Sequence, residues 1–348
     1  MLLFIAGYMH SGTTLLLKAL GKHSQIHSLP AETRFIELLE QYRQQYNLQE
    51  ENQKKAFVKR VQSSILVGTN LAKNQQLLPE HVRLRFEQAE KHAVETDLRA
   101  ETHSQIFQLL AEHHAAEADK AIALEKTPSN IFFLKKISHT WPDAKIIVIT
   151  RDIRQVLLSK KIRTETVGSG RYKEGQLAYK KLEKDYSFFL DGYSWKTGVR
   201  ELMANASHPN LISITYESLV AAPEAQLTTI CHFLGLTYEN HMLDVGNRNA
   251  ADPSKAGNKA GSGIQSDAIS NWQQKLSKAQ IAFLQRFCQQ ELQYLNYPII
   301  QISFSHRIAG LWYYILAPFD LARRAWKRSR LLSRANFWRR MKNYLGRP

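Results

Sequence analysis

The chain has few cysteines, with two among its 348 residues, Cys231 and Cys288. Neither has the spacing of a metal-ligand pair, and both lie in apolar, helix-like surroundings, so we expect buried thiols rather than a disulfide or a metal site. This use of cysteine fits a reducing compartment. The first six residues, Met1-Leu2-Leu3-Phe4-Ile5-Ala6, lack the basic start and the length of a secretory signal, so we expect a cytoplasmic protein.

Acidic side chains are nearly missing from the last part of the chain. Residues 303–348 contain eleven Lys or Arg and one acid, Asp320, so this segment carries +10 of the formal charge of +16. Its apolar and aromatic stretch, residues 308–319, has twelve residues and is too short to cross a bilayer.

Aromatic and basic residues are mixed in this tail, residues 301–348, as they are in segments that bind anionic lipid headgroups. We therefore expect a basic, helical tail that docks peripherally on the cytoplasmic face of a membrane. The alternatives are a helix folded back on the domain, with a solvated basic face, and a partner-binding tail. Nucleic acid is not expected as a partner, because no nucleic-acid-binding motif accompanies the charge.

A glycine-bounded loop follows the first apolar segment. The pattern predicts a buried strand over residues 3–6, a tight loop from Gly7 to Gly12 and a helix over residues 13–20. Backbone N–H groups and the start of the helix make such a loop an anion site, formed here by Ser11, Gly12, Thr13 and Thr14. The spacing matches the nucleotide-binding loop G-x-x-x-x-G-K-[ST], but Thr13 replaces the lysine, which argues against ordinary ATP or GTP hydrolysis.

Strand and helix patterns alternate along the chain. Apolar runs predict further strands at residues 121–124, 145–150 and 211–215, and a short second strand before Glu32. Helical patterns cover approximately residues 33–46, 50–66, 79–95, 102–117, 130–140, 173–204 and 277–295. The alternation predicts an α/β fold of three layers, with a central parallel sheet flanked by helices. We expect one domain over residues 1–300, with a large helical insertion at about 35–120, followed by the tail.

A second motif, Arg151-Asp152-Ile153-Arg154, follows the predicted strand at residues 145–150, and Ser159 lies eight residues after Arg151. The carboxyl end of the strand places Arg151 at the ligand edge of the sheet, and two helical turns bring Ser159 into the same neighbourhood. An arginine and a hydroxyl suit a phosphate monoester. For Arg154, an ion pair with a neighbouring acid at the surface is at least as good an interpretation as a ligand contact.

The two motifs together resemble the sulfotransferases that use 3′-phosphoadenosine 5′-phosphosulfate (PAPS). In that family the first loop binds the 5′-phosphosulfate and the R-D-x-R…S segment binds the 3′-phosphate. The resemblance continues in order as far as Pro298. The segments that carry it include Glu125-Lys126-Thr127-Pro128-Ser129-Asn130, Trp141-Pro142-Asp143-Ala144-Lys145, Tyr216-Glu217-Ser218-Leu219, Phe233-Leu234-Gly235-Leu236 and Gly257-Asn258-Lys259. The chain is most similar to the bacterial polysaccharide and tyrosylprotein branches.

The resemblance implies a P-loop-type fold and specific roles for residues near the reacting groups. Lys126 matches the family lysine and would stabilise the leaving phosphate, and Glu32, in the segment Glu32-Thr33-Arg34, matches the base that removes the acceptor's proton. Arg34 would orient Glu32 or bind an acidic acceptor. His10 stands where the family often has Arg or Lys, so it would assist the leaving group only when protonated.

Two more residues receive roles from the resemblance. Tyr216 is expected near the adenosine, with a core-edge tyrosine as the alternative, and Lys259 is expected near the 3′-phosphate, with a solvated lysine as the alternative.

The sequence therefore predicts an enzyme, a PAPS-dependent sulfotransferase that works without a metal and leaves adenosine 3′,5′-bisphosphate. We expect the acceptor to be a hydroxyl of a saccharide, such as an exopolysaccharide or a lipid-linked glycan. One alternative is a P-loop nucleoside or sugar kinase, which needs a loop lysine and a metal-binding acid. Another is an inactive, membrane-associated nucleotide-binding protein, to which His10 points.

Overall fold

The structure, a computed structural model, describes residues 1–68, 100–168, 187–245, 264 and 272–329. The chain divides into two compact units. The first unit comprises Met1–Arg151 and Thr197–Ile269, and the second comprises Asp152–Lys196 and Ser270–Pro348. The predicted helix at 79–95, Lys259 and the last part of the tail lie outside the described residues. A domain boundary at residue 300 stays a prediction.

The first unit is built on a five-stranded parallel sheet. Its strands are β1 (Leu2–Ala6), β2 (Ile26–Ser28), β3 (Ile122–Lys126), β4 (Lys145–Thr150) and β5 (Leu211–Thr215). They lie in the order β2-β3-β1-β4-β5, and every neighbouring pair is parallel. The predicted strands and the α/β class are confirmed. Because all five strands run in one direction, their carboxyl ends meet at one edge of the sheet.

Helices connect and follow these strands. They are α1 (Thr13–Leu20), α2 (Phe35–Gln45), α3 (Glu51–Val67), α4 (His103–Glu117), α5 (Leu134–Thr140), α6 (Ile153–Gly168), α7 (Phe188–Asn205), α8 (Tyr216–Ala221), α9 (Pro223–Leu234), α10 (Trp272–Lys275), α11 (Lys278–Phe287), α12 (Gln289–Tyr294) and α13 (Phe304–Ser329). Short 3₁₀ helices cover Pro128–Phe132 and Asn240–Leu243.

Two helices predicted as continuous are interrupted. The pattern at 130–140 divides into the 3₁₀ helix and α5, because the backbone of Phe133 leaves helical values at φ −135°. The pattern at 277–295 divides into α11 and α12 at Cys288, where φ is −112°. The Cys288 thiol is buried with its sulfur 3.8 Å from the carbonyl oxygen of Gly192, a long-range contact that helical periodicity does not reveal.

Apolar side chains cover both faces of the sheet. Ile5 is fully buried in a cluster that includes residues of α1 and α9. On the other face, Phe4 stacks on Trp141 with ring centroids 5.2 Å apart, and Phe35 of α2 stacks on Phe107 of α4 at 4.3 Å. Helices therefore pack on both faces of the sheet, which gives the predicted three layers.

The second unit is helical in its described part. Arg154 of α6 is fully buried, pairs with Asp152 at 2.6 Å and donates a 2.8 Å hydrogen bond to the carbonyl oxygen of Pro298. Its guanidinium carbon lies 4.0 Å from the ring centroid of Trp272. The ion pair expected for Arg154 is present, but it is buried rather than at the surface. A buried charge needs such partners, so loss of Arg154 alone would leave Asp152 buried without its counter-charge.

The described part of the tail forms a helix, as predicted, and packs within the second unit. Tyr313 and Tyr314 of α13 contact Phe283 of α11, with ring centroids 5.2 and 5.0 Å apart. Within the ranges given above, no helix combines the length and apolar content needed to cross a membrane. The thiols of Cys231 and Cys288 are both buried and are not joined in a disulfide, as expected.

Candidate functional site

Residues that the sequence predicts for the site follow the carboxyl ends of all five strands. Residues 11–14 follow β1, Glu32 follows β2, Lys126 ends β3, Arg151 follows β4 and Tyr216 follows β5. Ligands of open parallel sheets bind at this edge. The fold therefore brings together side chains that are far apart in the sequence.

The loop after β1 has the form of an anion site. Gly12 precedes α1 with φ 94°, in the left-handed region, and offers no capping side chain, so the first N–H groups of α1 remain for a ligand. Ser11 is fully buried, and its hydroxyl has no hydrogen-bond partner among the described residues. Leaving a buried hydroxyl unpaired costs about 1–3 kcal/mol, so an oxygen-rich anion that bonds to it stabilises the loop. The loop fits a phosphate or sulfate group.

Tyr216 and Arg151 form the wall beside this loop. A Cβ atom at Gly12 would overlap Cδ2 of Tyr216. The guanidinium carbon of Arg151 lies 4.0 Å from the centroid of the Tyr216 ring, and Nη1 of Arg151 donates a 3.1 Å hydrogen bond to the carbonyl oxygen of His10. Burial raises the pKa of the Tyr216 hydroxyl, which therefore stays protonated at neutral pH. Arg151 is thus fixed between the loop and the end of β5.

The backbone of His10 takes part in this wall in an unusual conformation. Its φ of 66° lies in the left-handed region, which residues other than glycine seldom adopt. The structure therefore links His10 to the site through its carbonyl oxygen, a contact independent of the imidazole charge on which the sequence-based role depends.

Lys126 and Glu32 form an ion pair on the other side of the loop. The ammonium group of Lys126 donates a hydrogen bond to the carboxylate of Glu32. Lys126 lies opposite Ile5 of β1 in the sheet register, and the Gly7 N–H donates a 3.4 Å hydrogen bond to the carbonyl oxygen of Pro128. The Lys126 side chain is 9% exposed, whereas that of Glu32 is 49% exposed. A cation is thus held beside the anion loop, next to a carboxylate that solvent reaches.

Glu125 is a buried carboxyl group at the end of β3 whose role the sequence reasoning missed. It accepts hydrogen bonds from the Thr33 N–H (3.2 Å), the Thr33 hydroxyl (2.9 Å), the Thr127 hydroxyl (2.5 Å) and the Asn130 amide (2.7 Å). Burial raises the pKa of Glu125 above its ordinary value, and the hydrogen bonds partly offset that rise. Since Thr33 follows Glu32, this carboxyl fixes the segment that carries Glu32 to the end of β3.

Arg34 contacts an acid on its own helix. Its Nε donates a 3.0 Å hydrogen bond to Glu37, and its Nη2 pairs with the other carboxylate oxygen of Glu37. The backbone N–H of Arg34 donates to the Thr127 hydroxyl at 3.1 Å, which further joins the two segments. The roles expected for Arg34, orienting Glu32 or binding the acceptor, stay predictions.

Two further nucleotide contacts are predicted from the sequence. Ser159 is a buried residue of α6, in the second unit, and Lys259 lies outside the described residues. Their assignment to the 3′-phosphate stays a prediction. In the described part of the chain, no group of three or more His, Cys, Asp or Glu side chains is arranged to hold a metal ion.

Comparisons with known proteins point to one family. A family model described as "Sulfotransferase family" matches residues 3–240. A putative protein-tyrosine sulfotransferase from Caenorhabditis briggsae is 27% identical over 120 residues, which are 34% of this chain and 38% of that protein. The chain therefore spans well under half the length of this relative.

Solved structures of sulfotransferase domains are similar to this chain. The sulfotransferase domain from the curacin biosynthetic pathway has a TM-score of 0.51 and 17% identity, covering 86% of this chain and 98% of that one. The sulfotransferase domain of the Synechococcus PCC 7002 olefin synthase has a TM-score of 0.47 and 20% identity, covering 86% and 95%. The first of these likenesses supports the fold assigned above.

Proposed function

This chain belongs to the sulfotransferase family, and we propose that it transfers a sulfuryl group from PAPS to a hydroxyl group of an acceptor. The observation that carries the proposal is the arrangement at the sheet edge. An anion loop lies beside the ion pair of Lys126 and Glu32, and its buried Ser11 hydroxyl has no hydrogen-bond partner in the described part of the chain. These are the parts that such a transfer needs: a binding site for the donor, a cation and a base.

The residues of the loop suit the phosphosulfate end of PAPS. The Ser11 hydroxyl and the first N–H groups of α1, which begins at Thr13 and Thr14, would donate hydrogen bonds to its oxygens. Arg151, fixed against Tyr216, would bind the 3′-phosphate, with Tyr216 beside the adenosine. We extend the same assignment to Ser159 and Lys259, which the family motif pairs with this phosphate.

The chemistry divides between Glu32 and Lys126. When bound, PAPS supplies the sulfuryl group: the bond from sulfur to the phosphate oxygen breaks as the acceptor oxygen bonds to sulfur, and adenosine 3′,5′-bisphosphate leaves with the electron pair. Glu32, half exposed, accepts the proton of the acceptor hydroxyl. Lys126 holds a positive charge beside the loop, where negative charge grows on the leaving oxygen, so it stabilises the transition state more than the ground state. His10, when protonated, would add to this charge.

For the acceptor, we infer a saccharide hydroxyl. The support is the pairing of Arg34 with Glu37, close to the proposed base in the sequence. Because Glu37 neutralises Arg34, less positive charge remains there to bind an acidic acceptor. A hydroxyl on an uncharged sugar unit, in an exopolysaccharide or a lipid-linked glycan, fits this pairing better than an acidic peptide. Two buried cysteines that form no disulfide support the proposal of a cytoplasmic location for the reaction.

The experiment is a transfer assay with PAPS labelled at sulfur and the purified full chain. It is supplied in parallel with a neutral polysaccharide, a lipid-linked glycan fraction and a tyrosine peptide flanked by acidic residues. Label in either glycan supports the proposal, and label in the peptide alone shifts the acceptor to tyrosine while keeping the reaction. Absence of transfer to every acceptor, together with transfer of phosphate from ATP to a sugar, would replace the proposal with the kinase alternative.

A further inference from the structure

The outer face of α13 is apolar and exposed. Eight of the fifteen exposed large apolar side chains in the described part of the chain lie on this one helix. The most exposed are Phe304 at 76%, Phe319 at 71%, Trp312 at 60%, Ile315 at 55% and Ile308 at 50%. Their spacing of three, four and seven residues places them along one stripe of the helix. Single exposed apolar residues are ordinary, but a stripe of this length indicates an interaction surface.

The opposite side of α13 is already used. Tyr313 and Tyr314 pack on Phe283, and Gly310 approaches α11 so closely that a Cβ there would lie 3.0 Å from the carbonyl oxygen of Ala279. The helix is therefore held on the second unit by one face while the other face is presented outward. Its orientation is fixed by packing, independent of any partner.

Positive charge follows this stripe in the sequence. Only one acid, Asp320, is found in residues 303–348, and it accepts a 2.6 Å hydrogen bond from the hydroxyl of Ser187. Arg323, Arg324 and Lys327 follow the apolar stripe directly in the sequence. Apolar residues followed by a dense run of cations match a membrane surface, whose acyl region takes the former and whose anionic headgroups attract the latter.

We propose that the outer face of α13 lies in the plane of a membrane surface that contains anionic lipid, with Phe304, Ile308, Trp312, Ile315 and Phe319 inserted among the headgroups and upper acyl chains. A cavity of about 200 Å³ adjoins this stripe and is lined by Phe188, Tyr313, Leu316 and Phe319, among others. It extends the apolar surface beyond the helix itself. The second unit thus carries an exposed apolar face that is suited to membrane docking. This inference is independent of the reaction proposed above.

The test is flotation of the full chain with vesicles of phosphatidylcholine alone or with about a third phosphatidylglycerol. The test variant is Ile308→Gln/Trp312→Gln/Ile315→Gln. The matched control, Leu109→Gln/Met203→Gln/Ile299→Gln, alters three exposed apolar residues elsewhere. Thermal unfolding followed by circular dichroism verifies that both variants fold. Deleting the tail is a poorer test, because it uncovers Phe283 on α11.

The wild type and the control should float with anionic vesicles and only weakly with neutral ones, less so at high salt, and the test variant should bind about tenfold or more weakly. Equal flotation of the test variant and the wild type would overturn the proposal. So would wild-type protein that stays off anionic vesicles but self-associates through the same residues, because the face would then join two copies of the chain.

Discussion

The ammonium group of Lys126 donates a hydrogen bond to the carboxylate of Glu32, 94 residues earlier in the chain. The contact joins the ends of β2 and β3 at the edge where the anion loop lies. It also joins two groups with different tasks in the proposed reaction, because one accepts a proton from the acceptor and the other balances charge on the leaving group. Replacing either residue should therefore impair chemistry more than nucleotide binding.

Glu32→Gln removes the base and keeps the size of the side chain. We expect kcat for sulfuryl transfer to fall about 10²–10⁴-fold, the usual contribution of a positioned base, while binding of adenosine 3′,5′-bisphosphate persists. The control is Glu40→Gln, an exposed carboxylate that pairs with Arg43 and Lys136 and should leave transfer unchanged. Full activity in Glu32→Gln would refute the assignment of the base.

Lys126→Met removes the cation beside the loop and retains a long side chain. We expect kcat to fall about 10²–10³-fold, as when one donor to a developing oxyanion is lost, with a smaller change in affinity for adenosine 3′,5′-bisphosphate. Lys136→Met, at the exposed ion pair with Glu40 (3.0 Å), is the matched control and should behave as wild type. Equal losses in affinity and in kcat/KM would make Lys126 a binding residue only.

Gly12→Ala tests the anion loop. At φ 94° an alanine is strained, and its Cβ would overlap the Tyr216 ring, so the loop and the Arg151 wall must shift. We expect affinity for adenosine 3′,5′-bisphosphate to fall at least about tenfold. Gly235→Ala is the control, because Gly235 has φ 72° but no atom of the described residues lies within 4 Å of its added Cβ. Both variants should lose stability, by about 1–2 kcal/mol for the left-handed conformation, but only Gly12→Ala should lose affinity.

Glu125→Gln tests the buried carboxyl group through the pH dependence of stability. Burial raises the pKa of Glu125 above 4.5, so between that value and the folded-state pKa the folded protein binds more protons than the unfolded chain. The contribution of this group to stability therefore decreases as pH rises through that window, whereas glutamine does not titrate. The stability of wild type minus that of Glu125→Gln, measured by urea unfolding, should fall as pH increases from about 4.5. A difference that is constant or rises with pH contradicts this interpretation.

Local sequence patterns were sufficient to predict the strands and the loop that position the site. The β-branched run at residues 145–150 predicted β4, and the parallel alternation then placed Arg151 at the ligand edge. The glycines of the first loop predicted the turn into α1, because glycine readily adopts the left-handed backbone conformation that Gly12 has there. Such signals lie within a few residues of the feature they predict.

Other parts of the site depend on contacts between distant residues and left no local pattern. Glu125 has an ionisable side chain and lies beside Lys126 in the sequence, yet it is buried, with hydrogen bonds from Thr33 and Asn130 outside the strand. The pairing of Arg34 with Glu37 has an ordinary helical spacing, and only its position next to Glu32 makes it relevant to the acceptor. These features required the three-dimensional arrangement.

The central claim is that the loop at residues 11–14 serves PAPS rather than a nucleoside triphosphate, and calorimetric titration of the full chain tests it most directly. One titration uses adenosine 3′,5′-bisphosphate in the presence of EDTA, and the other uses ATP with Mg²⁺. We expect saturable binding of the bisphosphate without metal, at least about tenfold tighter than that of Mg-ATP. Selective binding of Mg-ATP, with no binding of the bisphosphate, would contradict it.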